Sequence, residues 1–232
     1  AQLGVADKAE TPLEIVKGAL QAQKRFGVDI VFTGDEAAIL DAVRACGLTE
    51  LPDGAAIIPT AETVEMCDDP ATVFRRKKDT SMGVGLTLLK NGGGDAMVSA
   101  GSTGALLTGA TLITKRIHGI RRAAMAPVIP TTTGSAVLID CGANAECTPE
   151  YLLQFAYLGN FYAQRVLGVA TPRVGLLNIG AEDSKGTDLQ RQTLALLRAA
   201  DFCDSCIHET AKRQPGHWYG LAFEPVLKGT RV

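Results

Sequence analysis

The stretch Asp95-Ala-Met-Val-Ser-Ala-Gly-Ser-Thr-Gly-Ala-Leu-Leu107 decides how this chain is read. Asp95 to Val98 predicts a strand, Ser99 to Gly104 a turn rich in glycine and hydroxyls, and Ser102 to Ile117 a helix. Gly101 and Gly104 let the backbone approach a ligand closely. The hydroxyls of Ser99, Ser102 and Thr103 supply hydrogen bonds, and the free amides of a helix start favour an anion. The turn is neither a Walker A loop nor a G-x-G-x-x-G, so a nucleotide is not indicated. The same residues also fit a plain strand–helix turn in which Ser102 or Thr103 only caps the helix.

Strand then helix repeats on both sides of this turn. Pro12 to Phe26 places Leu13, Val16 and Leu20 at helical spacing, with Thr11 as cap and Pro12 in the first turn. Val28 to Phe32 predicts a buried strand, and Asp35 caps a helix to about Cys46 that Gly47 stops. Ala55 to Ile58 is a strand, Asp69-Pro70 opens a helix ending in Arg75-Arg76-Lys77-Lys78, and Ser81 to Asn91 is a helix closed by three glycines. Strands at 136–139 and 174–178 alternate with helices at 150–167 and 188–200. This order predicts an α/β protein with a largely parallel sheet between helical layers, and ligands at the carboxyl ends of its strands. After Ala200 the pattern degrades.

The 232 residues suit one large domain or two small ones, with a net charge of −2 and 46% hydrophobic residues. That composition is globular, and the near-neutral charge lacks the basic footprint of a nucleic-acid binder. The 25 glycines and the 5% of aromatics suit tight strand–turn–helix connections. No stretch approaches the ~20 apolar residues that span a bilayer, and residues 1–7 do not read as a secretory signal. Cys46, Cys67, Cys141 and Cys147 are scattered, and Cys203-Asp204-Ser205-Cys206 with His208 nearby lacks the second pair of a zinc site. No metal is expected, and a reduced cytoplasmic protein is the default.

Further candidates lie at other strand ends. Asp140-Cys141-Gly142-Ala143-Asn144 follows one strand; Asn178-Ile179-Gly180 follows another, with Glu182, Asp183 and Lys185-Gly186 just before a helix. A lysine there neutralises a phosphate or a developing oxyanion, or is simply solvated. Lys77, Lys78 and Asp79 read in isolation as a solvated helix end. The three histidines define no triad.

Four segments carry a resemblance: Arg76–Met82, Val98–Ala105, Leu138–Asn144 and Val174–Gly180. Together they resemble the PlsX family, the phosphate acyltransferases of bacterial phospholipid synthesis. Pro12–Ala19, Glu65-Met66 with Asp69-Pro70, Gln154–Ala156, Gly119–Arg122 and Lys185-Gly186 agree. The likeness runs from Pro12 to Phe202. Residues 1–202 are therefore expected as one α/β domain and 203–232 as a divergent tail, a remnant of the family's C-terminal part.

The resemblance implies a three-layer α/β/α fold akin to phosphotransacetylases and isopropylmalate-type dehydrogenases, usually homodimeric. It implies transfer of a fatty acyl group from acyl carrier protein to inorganic phosphate, with no cofactor, and an acyl phosphate product used by glycerol-3-phosphate acyltransferase. Members are cytoplasmic and associate with the inner membrane surface. On this reading Ser99, Ala100, Gly101, Ser102, Thr103 and Gly104 cradle phosphate. Lys185 and Asn178 stabilise charge, and Lys77, Lys78, Asp79, Asp140 and Asn144 complete the substrate-binding set. Arg116, Arg121 and Arg122 are candidates for an acidic carrier protein.

Two departures stand out. Gly4–Ala9 lacks the family's opening Asp-Ala-Met-Gly-Gly-Asp motif, and Tyr219–Glu224 with Leu227-Lys228 only echoes its Asp-Gly-Phe-x-Gly-Asn stretch. Alternatives are a phosphotransacylase using acyl-CoA and a non-catalytic relative that binds phosphate or carrier; a dehydrogenase lacks its fingerprint.

Overall fold

Proline in a first turn and apolar residues three and four apart give the helix the sequence predicts: α1 spans Pro12–Phe26 and buries Val16 and Ala19. In the computed structural model, residues 12–131, 134–178, 185–200, 207–209 and 221–224 are described. The expected cap Thr11 lies outside them. The chain divides into two compact units, Ala1–Ile117 and His118–Val232.

In the first unit, β1 (Ile30–Gly34) leads through α2 (Glu36–Ala45) to β2 (Ala55–Pro59), and the two strands pair in parallel with Ile30 beside Ala55 and Phe32 beside Ile57. Asp35 caps α2 as expected, its carboxylate accepting from the Ala38 N–H at 2.8 Å. Val16 and Ala19 of α1 pack with Ile30, Phe32, Ile39, Ala42 and Val43 in one core. A second core joins Val64, Val73 of α3 (Val73–Arg76), Met82 and Leu86 of α4 (Ser81–Lys90) and Ala105 of α5 (Thr103–Gly109). A π-helical turn, Ala110–Thr114, extends α5.

Three local expectations differ. Residues 95–98 form no strand, and among the described residues no segment pairs with them; Met97 packs against the second core. The helix expected from Asp69-Pro70 shrinks to α3, because 69–72 turn on the Asp69 carboxylate, which accepts from Ala71 N–H and Thr72 Oγ1. The helix expected to reach Ile117 ends at Thr114, where Lys115 takes φ 73°.

The second unit is built on a five-stranded sheet in the order β3 (Val128–Thr131), β4 (Gly134–Ile139), β7 (Leu221–Glu224), β5 (Arg173–Leu176), β6 (Ile207–Glu209). β5 and β6 are parallel, whereas β3–β4, β4–β7 and β5–β7 are antiparallel. The α/β class stands, with a mixed sheet. β3, β6 and β7 were not expected from the sequence; β6 and β7 come from the part read as a tail. α6 (Pro149–Arg165) and α7 (Asp188–Ala199) lie where the spacing placed them. Their Leu152, Phe155, Ala156 and Leu197 bury against Val137, Ile139, Val174 and Leu176.

Phe155 is fully buried at the centre of this core. Phe155→Ala is expected to cost about 3–5 kcal/mol, read as a lower urea midpoint for the second unit.

Candidate functional site

Between β2 and α4 the chain runs out and back, and its two arms are tied by backbone and side chains. At the mouth, the Asp79 carboxylate accepts from Ala61 N–H at 2.8 Å, and the Glu62 carboxylate accepts from Asp79 N–H at 3.1 Å. Glu62 N–H donates to Asp79 O, and Ser81 N–H to Glu62 O. Deeper in, Lys77 Nζ donates to Asp68 Oδ2 at 2.6 Å and to Thr63 O at 2.9 Å. Asp68 Oδ2 also accepts from Glu65 N–H at 2.8 Å. These two side chains are mostly covered, at 18% exposure for Asp68 and 27% for Lys77. The ammonium hydrogen bond and the Glu65 amide hold the Asp68 carboxyl below its ordinary range, and the Asp68 bond holds Lys77 above its own. Lys77 thus spends two donors inside the protein, whereas Lys78 beside it is exposed.

The 99–104 turn lies in the same unit. Ser99 Oγ accepts from Gly101 N–H at 3.2 Å, and Ser102 Oγ, 7% exposed, accepts from Ala105 N–H at 3.4 Å as the α5 cap. Thr103 and Gly104 fall in the first helical turn, whose amides have no intrahelical acceptor. Ala100 precedes the cap without regular structure. Gly104 is pressed by Pro70: a Cβ there would meet Pro70 Cγ at 3.0 Å.

The second unit holds the other candidates in two groups. Asp140, 4% exposed, follows β4 and gathers four donors. Its Oδ1 accepts from Met125 N–H at 2.8 Å and Ala143 N–H at 3.3 Å. Its Oδ2 accepts from Asn144 N–H at 2.7 Å and Asn144 Nδ2 at 2.9 Å. Asn144 Nδ2 also donates to Ala123 O at 2.9 Å. Burial, with the nearby Asp140 charge, pushes the Cys147 thiol up. In the other group, Asn178 Nδ2 donates to Lys185 O at 3.1 Å across the ends of 179–184, which lie outside the described residues and include the candidates Glu182 and Asp183. Gly186 has φ 87°, and a Cβ there would meet Asn178 Oδ1 at 2.4 Å, so only glycine fits. Gln190 Oε1 accepts from Thr187 N–H at 2.9 Å to start α7. Lys185 itself is exposed.

The sequence reading gave Gln154 no role beyond its part in the resemblance. Its Oε1 accepts from Arg121 N–H at 2.8 Å and its Nε2 donates to Gly119 O at 3.0 Å, fixing 119–121 on α6. The Arg122 guanidinium sits 5.7 Å from the Tyr151 ring centroid. Thr148 and its own backbone amide, and then the charge of Arg121, lower the Glu150 carboxyl. Asp68 was overlooked, because its pairing with Lys77 nine positions on depends on how the loop closes.

A groove of about 800 Å³ beside α1, lined by Leu13, Leu20, Cys46 and Leu48, contains none of the candidate residues. Among the described residues no cluster of three or more His, Cys, Asp or Glu could hold a metal ion; Cys203 and Cys206 lie outside them. Nor, among these residues, is any helix long and apolar enough to cross a membrane.

Residues 6–204 match the model of a family described as fatty acid synthesis protein. The chain is 42% identical to a phosphate acyltransferase of Thermoanaerobacterium thermosaccharolyticum, over 81% of this chain and 54% of that protein. It is 44% identical to one from Desulfitobacterium hafniense, over 82% and 56%. The chain therefore spans about half the length of the curated relatives it matches. A phosphotransacetylase from Streptococcus pyogenes superposes with a TM-score of 0.63 at 15% identity, covering 89% of this chain and 67% of that one. That likeness bears out the fold class.

Two outcomes are expected. Asp140→Ala orphans half-buried amides at up to about 1–3 kcal/mol each, and urea unfolding should show the loss while Asp140→Asn is milder. Asp68, lowered in the fold, contributes stability above about pH 4 that is lost as pH falls through its lowered value. Lys77, raised, contributes below about pH 10.4 and loses it as pH rises through its raised value. The melting-temperature gap between wild type and Asp68→Asn should hold from about pH 5 to 9 and close in stronger acid.

Proposed function

The chain belongs to the fatty acid synthesis protein family, that of the PlsX phosphate acyltransferases, and from this premise we propose that it transfers a fatty acyl group from acyl carrier protein to inorganic phosphate. The observation that carries the proposal is the family match over residues 6–204, a span holding every candidate residue named above. A phosphate oxygen attacks the thioester carbonyl, the new C–O bond forms, and the C–S bond breaks. The carrier leaves as its thiol, taking up the proton that the phosphate gives up. Catalysis of such a step needs phosphate desolvated and aligned, and donors for the developing oxyanion.

Ser99 to Gly104 is proposed as the phosphate cradle, supported by its two glycines and the first-turn amides of α5. Lys78 is proposed as its neighbouring cation, since it is exposed where Lys77 is engaged. Lys185 and Asn178 are proposed to stabilise charge on the carbonyl or phosphate. Asp140 and Asn144 are assigned to shaping the loop after β4, which their internal hydrogen bonds support. Arg121 and Arg122, held by Gln154 and Tyr151, are proposed to meet the acidic carrier. Arg116, exposed in the first unit, is a further carrier-docking candidate. We place the protein in the cytoplasm, peripheral to the inner membrane surface, as a homodimer whose acyl phosphate feeds glycerol-3-phosphate acyltransferase. Residues 203–232 are proposed as the counterpart of the family's C-terminal part.

The test is phosphate-dependent release of carrier thiol from palmitoyl-acyl carrier protein. Release is expected to fall about 10²–10³-fold in Lys185→Ala and to fall in Ser102→Ala. Reversing Arg121 and Arg122 to glutamate should raise the KM for the carrier alone. No release from a folded sample overturns the proposal, and release from acyl-CoA but not from the carrier thioester moves the donor to coenzyme A.

A further inference from the structure

The loop from Thr63 to Lys77 is closed by a single ammonium. Lys77 Nζ reaches Asp68 Oδ2 and Thr63 O together, so one side chain ties the neck of the loop to its turn. The turn itself is tight: Asp68 N–H donates to Glu65 O at 3.1 Å while Glu65 N–H returns to the Asp68 carboxylate at 2.8 Å. Val64 and Val73 anchor both arms in the core that also holds Ala105 of α5. Asp69 then organises 70–73 from its carboxylate and carbonyl. The residue between these fixed points is Pro70, whose ring lies against Gly104, so that a Cβ there would meet Pro70 Cγ at a tight 3.0 Å.

We propose that Asp68 and Lys77 are positioning residues for the Ser99–Gly104 turn: their ion pair holds Pro70 against Gly104 and so sets the backbone that would receive phosphate. This rests on the phosphate-cradle reading above. It gives Asp68 a functional role and moves Lys77 from contacting substrate to acting through Pro70. The two roles for Lys77 predict opposite results at Asp68. If Lys77 binds phosphate itself, Asp68→Asn frees its ammonium and phosphate binding holds or tightens. If the pair positions the turn, Asp68→Asn and Lys77→Met weaken phosphate in the same direction.

The experiment measures KM for inorganic phosphate and kcat in the full chain. In parallel it measures amide hydrogen exchange at residues 101–106. Asp68→Asn and Lys77→Met should each raise the KM about tenfold with kcat within about threefold, and the double variant should be no worse than either single one. Lys77→Arg should stay close to wild type. Exchange at 101–106 should quicken in Asp68→Asn and Lys77→Met while α1, β1 and α2 keep wild-type rates, which general destabilisation would not produce. An unchanged or lowered KM in Asp68→Asn overturns the proposal, as does unchanged exchange at 101–106. A wild-type chain without phosphate-dependent turnover sinks the transfer reading instead, and the exchange rates alone then decide the positioning role.

Discussion

A carboxylate that accepts backbone amides is the interaction on which the loops of this protein depend. A chain leaving a strand carries N–H groups with no ladder partner, and burying them unpaired is costly. Asp140 meets that constraint after β4 by gathering Met125, Ala143 and Asn144, and so joins two stretches of chain at one side chain. Asp79 and Glu62 do the same reciprocally before α4, Asp68 does so for Glu65, and Asp35 caps α2. Where an acid is not used, an amide serves: Asn178 closes on Lys185 O, and Gln154 takes both an amide and a carbonyl of 119–121. The loops expected to carry chemistry are therefore stiffened by their own polar side chains.

This division of labour sorts the cations. Lys77 is held by Asp68 and Arg122 stacks on Tyr151, so both have structural work. Lys78 and Lys185 stay exposed and available to an anionic substrate. In the basic run Arg75–Lys78, Lys77 is half-buried on Asp68 while Arg75, Arg76 and Lys78 are exposed.

Much of the fold was legible because its signals are local. Proline in a first turn and periodic apolar residues located α1, the Asp35 cap located α2, and the helix read at 150–167 lies where α6 does. What was not legible depends on partners distant in sequence. Residues 95–98 have strand-like composition but no strand partner among the described residues, whereas Leu221–Glu224 gains strand structure from β4 and β5. Strand direction is equally invisible to periodicity, so the mixed sheet could not be read in advance. In the candidate site, the turn at 99–104 and the acids at strand ends were visible as residue types. That Asp68 would claim Lys77, and that Pro70 would reach Gly104, follow only from how the loop closes.

The raised Cys147 thiol has a chemical consequence. The thiolate is the form that attacks an alkylating reagent, and burial, with the Asp140 charge nearby, disfavours it at Cys147. Cys67, by contrast, is exposed. Alkylation is therefore expected to run faster at exposed Cys67 than at half-buried Cys147. The difference between the two rates is readable by mass without any substrate.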